Sequence, residues 1–191
     1  MDAHGLTFAC ATTAEARVAR RLGLPAVRVG IGVANGMPPG RLVSFGLCGA
    51  LHDGLRIGEV LDATRVVDER GETLWQGQAL GVRGAREATL LASDELVHDA
   101  AERWRLHAAS GADAVDMESG ALARSGRLAG VLRVVSDDAE SSIEGVDTTV
   151  HPDGRTDVVG LLRFVATRRG AAIRSLLDAV SALRALQRAA A

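Results

Sequence analysis

The chain has 191 residues, 47% of them hydrophobic and 24% charged, with a formal net charge of −2. That length suits one domain with a sizeable core, spanning 1–191, and the composition is ordinary for a globular protein. Arginines are interspersed with acids and form no basic block, so no nucleic-acid partner is expected, and no 18-residue uncharged apolar run predicts a membrane-spanning helix.

In chain order, "GLTFACA" (5–11) reads as a buried strand and "TAEARVARRLG" (13–23) as a helix stopping at a glycine. "AVRVGIG" (26–32) is β-like, "RLVSFGLCGAL" (41–51) is a strand running into a Gly turn, and "GEVLDATRVVDE" (58–69) is a further strand. Residues 70–84 carry turn chemistry with short β-like pieces, and "ATLLAS" (88–93) fits either a strand or a short helix. "DELVHDAAERWRLHAAS" (94–110) predicts a helix with an acidic start. A short strand follows at 113–117, then a helix at 118–127 and a strand at 130–137. A polar loop at 138–156 and two closing helices are expected beyond. In the second, Ile173, Leu176, Leu177, Val180, Leu183 and Leu186 recur at helical spacing. The alternation of strands and helices predicts an α/β fold, a three-layer α/β/α domain with a mixed central sheet.

The N-terminus has no basic region and carries Asp2, which does not read as a secretory signal, so a cytoplasmic location is expected. Cys10 and Cys48, in apolar or Gly-rich surroundings, are expected to be buried free thiols. The five histidines share no metal-ligand spacing, so no zinc site is expected. Aromatic residues make up 3% and tyrosine is absent, so the core must rest on Ala, Val and Leu, and a site would offer few rings for stacking a base.

In an α/β sheet, ligands bind beyond the carboxyl ends of strands. Glu15 follows the first strand, where it is either a first-turn helix acid or a site carboxylate. The glycines of "FGLCGAL" allow close approach of a ligand or an ordinary tight turn. "VDMES" sets Asp116 and Glu118 around Met117; Glu118 could accept two hydrogen bonds from a vicinal diol or simply start a helix, and Met117 could floor a substrate or fill core. Asp137, leaving a buried strand in "VLRVVSDDAE", is a cap, a loop acid, or a general acid in a poorly solvated cleft. "VGIGVANG" contains Gly30, Gly32 and Gly36, but "GMPPG" follows where a dinucleotide fingerprint needs a helix, so that reading is rejected.

Taken together and in order, "ATTAEA", "FGLCGAL…LRIGEVLDATRVV", "AVDMESGALA" and "LRVVSDDAE" resemble the nucleoside phosphorylase/nucleosidase superfamily, in particular its methylthioadenosine/adenosylhomocysteine nucleosidase-like members. The resemblance implies cleavage of the N-glycosidic bond of a purine nucleoside. In that scheme Asp137 protonates N7 of the leaving base and Ser136 helps orient it. Glu118 holds the ribose 2′- and 3′-hydroxyls over Met117, and Glu15 orients or deprotonates the attacking water. Gly46, Cys48, Gly49 and Val115 line the substrate pocket, with Leu96 or Val97 as an apolar wall where relatives place a ring. The resemblance implies no metal or organic cofactor, a small-molecule nucleoside substrate, and a homodimer or higher homo-oligomer.

"GADAVDMES" and the tail "HPDGRTDVVGLLRF…IRSLLDAVSALRALQR" look closest to the hopanoid-biosynthesis branch, which implies adenine release from a 5′-substituted adenosine such as an adenosyl-hopane. Superfamily phosphorylases carry an arginine and a serine around the Gly-rich loop where this chain has Ser44 and Leu47, which favours hydrolysis over phosphorolysis, although Arg17 or Arg41 could reach the site from elsewhere. The N-terminal half is shortened relative to the family: it lacks room for the usual hairpin after Glu15 and for the usual helix between "VANG" and "RLVSF". Those deletions keep open a relative that binds nucleosides without catalysis.

Overall fold

The computed structural model describes residues 5–97 and 99–139; the expected C-terminal helices, and the polar loop from residue 140 onward, lie outside the described residues. The chain begins with β1 (Leu6–Cys10), α1 (Thr13–Arg21) and β2 (Ala26–Arg28), followed by a 3-10 turn at Ile31–Val33. Then come β3 (Arg41–Ala50), β4 (Val60–Val67), β5 (Thr73–Gln76) and β6 (Arg86–Ala92). α2 (Ala100–Ser110), β7 (Ala114–Asp116), α3 (Ser119–Arg124) and β8 (Leu128–Asp137) complete the described part.

The α/β architecture with a mixed sheet is as expected, but the sheet closes on itself. β3 pairs β8 in parallel, β8 pairs β4 antiparallel, β4 and β6 run parallel, β6 and β7 run parallel, and β7 returns antiparallel to β3. This ring carries two extensions, β1 and β2 beside β3 and β5 beside β4. The layering inferred from alternation therefore gives way, among the described residues, to helices set around a small closed sheet. Simple alternation does not reveal closure, because it depends on β8 pairing on both of its sides.

Each element has a local cause. α1 starts in a capping box: the Thr12 hydroxyl accepts from the Glu15 N–H, and the Glu15 carboxylate accepts from the Thr12 N–H. The segment left open between strand and helix at 88–93 is strand, since it pairs β4 on one side and β7 on the other. α2 starts later than its acidic residues suggest: Asp99 is the cap, accepting from the Glu102 N–H at 2.9 Å, while Ser93 and Glu95 close a turn outside the helix. Gly111, at φ 66°, ends α2 in the left-handed conformation that glycine favours.

The core is aliphatic, as composition predicted. Phe8, Val43, Phe45, Leu132 and Val134 pack between the β1–β3–β8 strands and α1. Leu42, Leu61, Leu90, Leu122 and Val131 form the second cluster, under α3. Cys10 and Cys48 are both buried and not joined by a disulfide, and burial pushes the Cys10 thiol far up, leaving it uncharged and inert.

Candidate functional site

The acids singled out from sequence gather along the second half of β3. Register explains how. Arg133 on β8 lies opposite Gly46, and Asp137 lies opposite Gly49. β7 pairs Gly49 with Val115, so Asp116 and Glu118 run back toward the middle of β3. α1 delivers Glu15 to the same place, where Glu15 Oε1 accepts from the Leu47 N–H at 3.0 Å. That contact joins residues far apart in the chain and is not part of the helix cap, so Glu15 serves both as a first-turn acid and as a member of the cluster.

Arg133 organises this cluster. It is fully buried, and its Nη2 lies 2.6 Å from both Asp116 Oδ2 and Ser44 Oγ and 3.3 Å from Glu118 Oε2. Nη1 donates to the Leu47 carbonyl at 3.3 Å. Ser119 closes the network, donating its hydroxyl to Asp116 and its N–H to Asp116 Oδ1 at 3.0 Å. Burial disfavours the Arg133 charge, but Asp116, Glu118 and Glu15 outweigh it and hold the guanidinium protonated above its ordinary range. Three carboxylates against one guanidinium leave the cluster short of positive charge. Glu118 bears the consequence: burial first, then Asp116 and Glu15, raise its carboxyl to about 7 against the opposing pull of Arg133.

Gly46 is required by this geometry. A Cβ there would lie 2.6 Å from Arg133 Nη1 and 2.8 Å from the Glu15 carboxyl carbon. The "VGIG" loop, rejected as a dinucleotide fingerprint, contributes instead a backbone donor, the Gly32 N–H, 3.3 Å from Glu118 Oε1. Next to it Val33 has φ 64°, a left-handed conformation uncommon for a β-branched residue.

A second grouping lies at the far end of β3. The β3–β8 register slips between Cys48 and Gly49, so that Val135 faces Cys48, Asp137 faces Gly49 and Ser136 is the extra residue. Such a bulge re-aims side chains. The Ser136 hydroxyl sits 2.9 Å from the Cys48 carbonyl and 2.6 Å from Asp137 Oδ1, and its one proton serves one acceptor at a time. Asp137 Oδ2 pairs with Arg103 Nη2 at 2.5 Å. Arg103 comes from α2 and is buried, with Nη1 donating to the carbonyls of Ala50 and Asp138.

The remaining expected residues are placed as follows. Met117 is half-buried between Asp116 and Glu118. Val115 packs among Leu51, Val67, Leu91 and Leu106. Leu96 and Val97 are half-buried beyond the end of β6, and Val97 packs against that same cluster. Arg41, raised as a source of positive charge, is exposed at the opening end of β3, some five to eight residues from Gly46 and Gly49, or roughly 17–26 Å along a strand. Arg17 is exposed on α1. Sequence reading gave no role to Arg133, Arg103, Asp116 or Gly32. The available signal was an arginine inside the buried run "GVLRVVSD", since a charge is almost never fully buried unless paired.

No helix among the described residues is long and apolar enough to cross a membrane. No family model and no curated protein matches the chain. Solved structures match it in fold. The futalosine hydrolase of Helicobacter pylori strain 26695 aligns at 14% identity over 94% of this chain and 96% of its own, with a TM-score of 0.65. The 5′-methylthioadenosine/S-adenosylhomocysteine nucleosidase of Helicobacter pylori, in complex with butyl-thio-DADMe-Immucillin-A, aligns at 15% over 96% and 97%, TM-score 0.65. The 5′-methylthioadenosine nucleosidase of Arabidopsis thaliana in apo form aligns at 15% over 95% and 94%, TM-score 0.64. What the chain shares with these hydrolases and nucleosidases, at such identities, is the fold.

Proposed function

We propose that this protein is a nucleosidase that hydrolyses the N-glycosidic bond of a purine nucleoside and releases adenine from a 5′-substituted adenosine. The observation that carries this reading is the division of acids along β3: Glu15, Asp116 and Glu118 crowd one buried arginine at Gly46, while Asp137 and Ser136 stand apart at Gly49. A group carrying excess negative charge suits a sugar that becomes positive as its bond breaks. A separate acid suits the departing base.

In the proposed reaction the C1′–N9 electron pair leaves with the purine and Asp137 supplies a proton to N7, oriented by Ser136. Glu118 accepts hydrogen bonds from the ribose 2′- and 3′-hydroxyls above Met117. A water oxygen bonds to C1′ and Glu15 takes the proton that the water gives up. Gly46, Cys48 and Gly49 provide the close backbone approach, with Val115 behind them and Leu96 at the rim. Exchange with solvent then returns one proton to Asp137 and removes one from Glu15.

Ser44 supports water rather than phosphate as the nucleophile. It stands where the superfamily's phosphorylases carry an arginine, and its hydroxyl is committed to Arg133 at 2.6 Å and Ser119 at 2.9 Å. The finer reading is a single phosphorylase/hydrolase-like domain over 1–191 of three-layer α/β/α type, shortened in its N-terminal half. We propose that it acts in the cytoplasm as a homodimer or higher homo-oligomer. An aliphatic, ring-poor cleft suits a bulky hydrophobic 5′ group, and an adenosyl-hopane is the substrate this branch of the resemblance suggests.

The test is base release from adenosine, methylthioadenosine, adenosylhomocysteine, inosine and a 5′-alkyl adenosine, with and without phosphate. Phosphate-independent adenine release is expected, rising with the apolar bulk of the 5′ group. Release only with phosphate would overturn hydrolysis, and no release from any of them would favour a binding role.

A further inference from the structure

We infer that Arg103, on α2, is the positioning residue for the leaving-group acid: it fixes the Asp137 carboxyl in the orientation from which it acts on the base. The inference rests on the nucleosidase reading above and assigns a role to a residue outside the motifs that suggested that reading.

The geometry is specific. Arg103 is 1% exposed, and a guanidinium is buried at that level only when its charge is paired; both Nη atoms are bonded, while Nε has no hydrogen-bond partner among the described residues. Its partners converge from different elements. Nη1 donates to the Ala50 carbonyl at the end of β3, at 3.1 Å, and to the Asp138 carbonyl just past β8, at 3.0 Å. Nη2 meets Asp137 Oδ2 at 2.5 Å. The two backbone contacts, both through Nη1, hold the guanidinium in addition to its pairing with Asp137, so the carboxylate meets a cation that has other anchors. The other oxygen, Oδ1, is met by the Ser136 hydroxyl. The carboxyl is therefore held at Oδ2 from α2 and, when the Ser136 proton is turned to it rather than to the Cys48 carbonyl, at Oδ1 from the β8 bulge, which restricts rotation about its Cβ–Cγ bond.

Gly49 makes room for this arrangement. A Cβ at that position would lie 2.8 Å from Asp137 Oδ2 and 3.2 Å from Arg103 Nη1, so any side chain would occupy the space in which the pair forms. Lysine cannot replace the arginine without loss. The ammonium is a point charge and cannot present a planar fork to two carbonyls and a carboxylate at once. The site thus uses a buried arginine twice: Arg133 gathers the acids near Gly46, and Arg103 orients Asp137 near Gly49.

Proton donation matters in proportion to how poor the leaving group is, and this gives a readout that a merely structural residue would not move. Arg103→Met and Arg103→Lys are compared with wild type on two substrates bearing the same 5′ group, an adenine nucleoside and the 4-nitrophenyl β-ribofuranoside. The nitrophenolate departs as a stable anion and needs no proton. With the adenine nucleoside, kcat of Arg103→Met is expected to fall about 100-fold, the scale of a misplaced catalytic group, with little change in KM. Arg103→Lys should recover part of that loss. Both variants should cleave the nitrophenyl riboside at the wild-type rate, and Asp137→Asn should show the same split. Equal losses on both substrates, or no loss on either, would overturn the assignment. If Asp137→Asn shows no split while wild type cleaves both substrates, the general-acid reading of Asp137 fails, and the positioning role falls with it. Wild type inactive on both would instead overturn the nucleosidase reading itself.

Discussion

Replacing Glu118 by glutamine should alter stability in a way that depends on pH, with a sign set by the structure. Glu118 is 4% exposed, and its carboxyl is raised from an ordinary 4.5 to about 7, by burial first, with Asp116 and Glu15 adding and Arg133 opposing. The unfolded chain therefore ionises this group before the folded chain does. Between pH 4.5 and 7 the folded state holds more protons, so the contribution of Glu118 to stability falls as pH rises, and above 7 it is constant. An interval of that size corresponds to ~3 kcal/mol. Glutamine carries no charge but introduces a constant penalty, because both carboxylate oxygens face donors, the Gly32 N–H and Arg133 Nη2, and the amide NH2 must face one of them. An unmade buried hydrogen bond of this kind costs ~1–3 kcal/mol. The absolute difference between the proteins thus contains two effects, whereas its change with pH contains one. Urea unfolding of both proteins at pH 4.5, 6 and 7.5, followed by the fluorescence of Trp75 and Trp104, isolates it. Glu118→Gln should gain ~3 kcal/mol on wild type across that range, or ~6–12 °C in relative Tm for a chain of this size. A difference that stays constant with pH would refute the reasoning, since it would mean that Glu118 ionises alike in both states. At pH 7.5 the same variant should bind nucleoside more weakly, so that stability rises as function is lost.

Asp137→Asn should keep the fold, because the amide oxygen still accepts from Arg103, while turnover of adenine nucleosides falls ~10²–10⁴-fold for want of a proton donor; steady-state adenine release measures it, and near-wild-type turnover would remove Asp137 as the acid. Gly46→Ala should cost ~1–3 kcal/mol or more by overpacking, since its Cβ meets Arg133 and the Glu15 carboxyl below normal contact distance. Thermal unfolding checks this, and a Tm equal to wild type would mean that the cluster is looser than described.

Strands with β-branched or leucine-rich runs and clear turn residues were legible in the sequence: β1, β3, β4 and β8 lie within a residue or two of their expected bounds. α1 was legible because Thr12 and Glu15 form a local signal complete within four residues. α2 was misplaced at its start because Asp94 and Glu95 mimic a helix N-terminus while Asp99, further on, does the capping. Pairing was not legible at all. The β7–β3 link in the closed ring involves only two register pairs, and no periodicity encodes it. In the site, the acids were visible as strand-end residues, whereas Arg133 showed only as a position in "LRVVSDDAE" with no role and Arg103 did not show at all. Arg133 sits inside an apolar strand and Arg103 inside an amphipathic helix, where arginine most often reaches solvent. Their partners come from β3, β7, α1 and β8, and only the folded chain brings them together.

The closing strand has a consequence for how the chain becomes functional. Until residues 128–137 join, one whole side of β3 and half of one side of β4 are open edges that can recruit another chain. The same strand carries Arg133, Ser136 and Asp137, so sealing the edges and assembling the site are a single event. A nucleoside that engages only the sealed form acts as a latch on it, adding RT ln(1 + [L]/Kd) to its stability. Opening of β8, read as amide exchange at residues 130–136, should slow when substrate analogue is present, and aggregation on heating should recede with it.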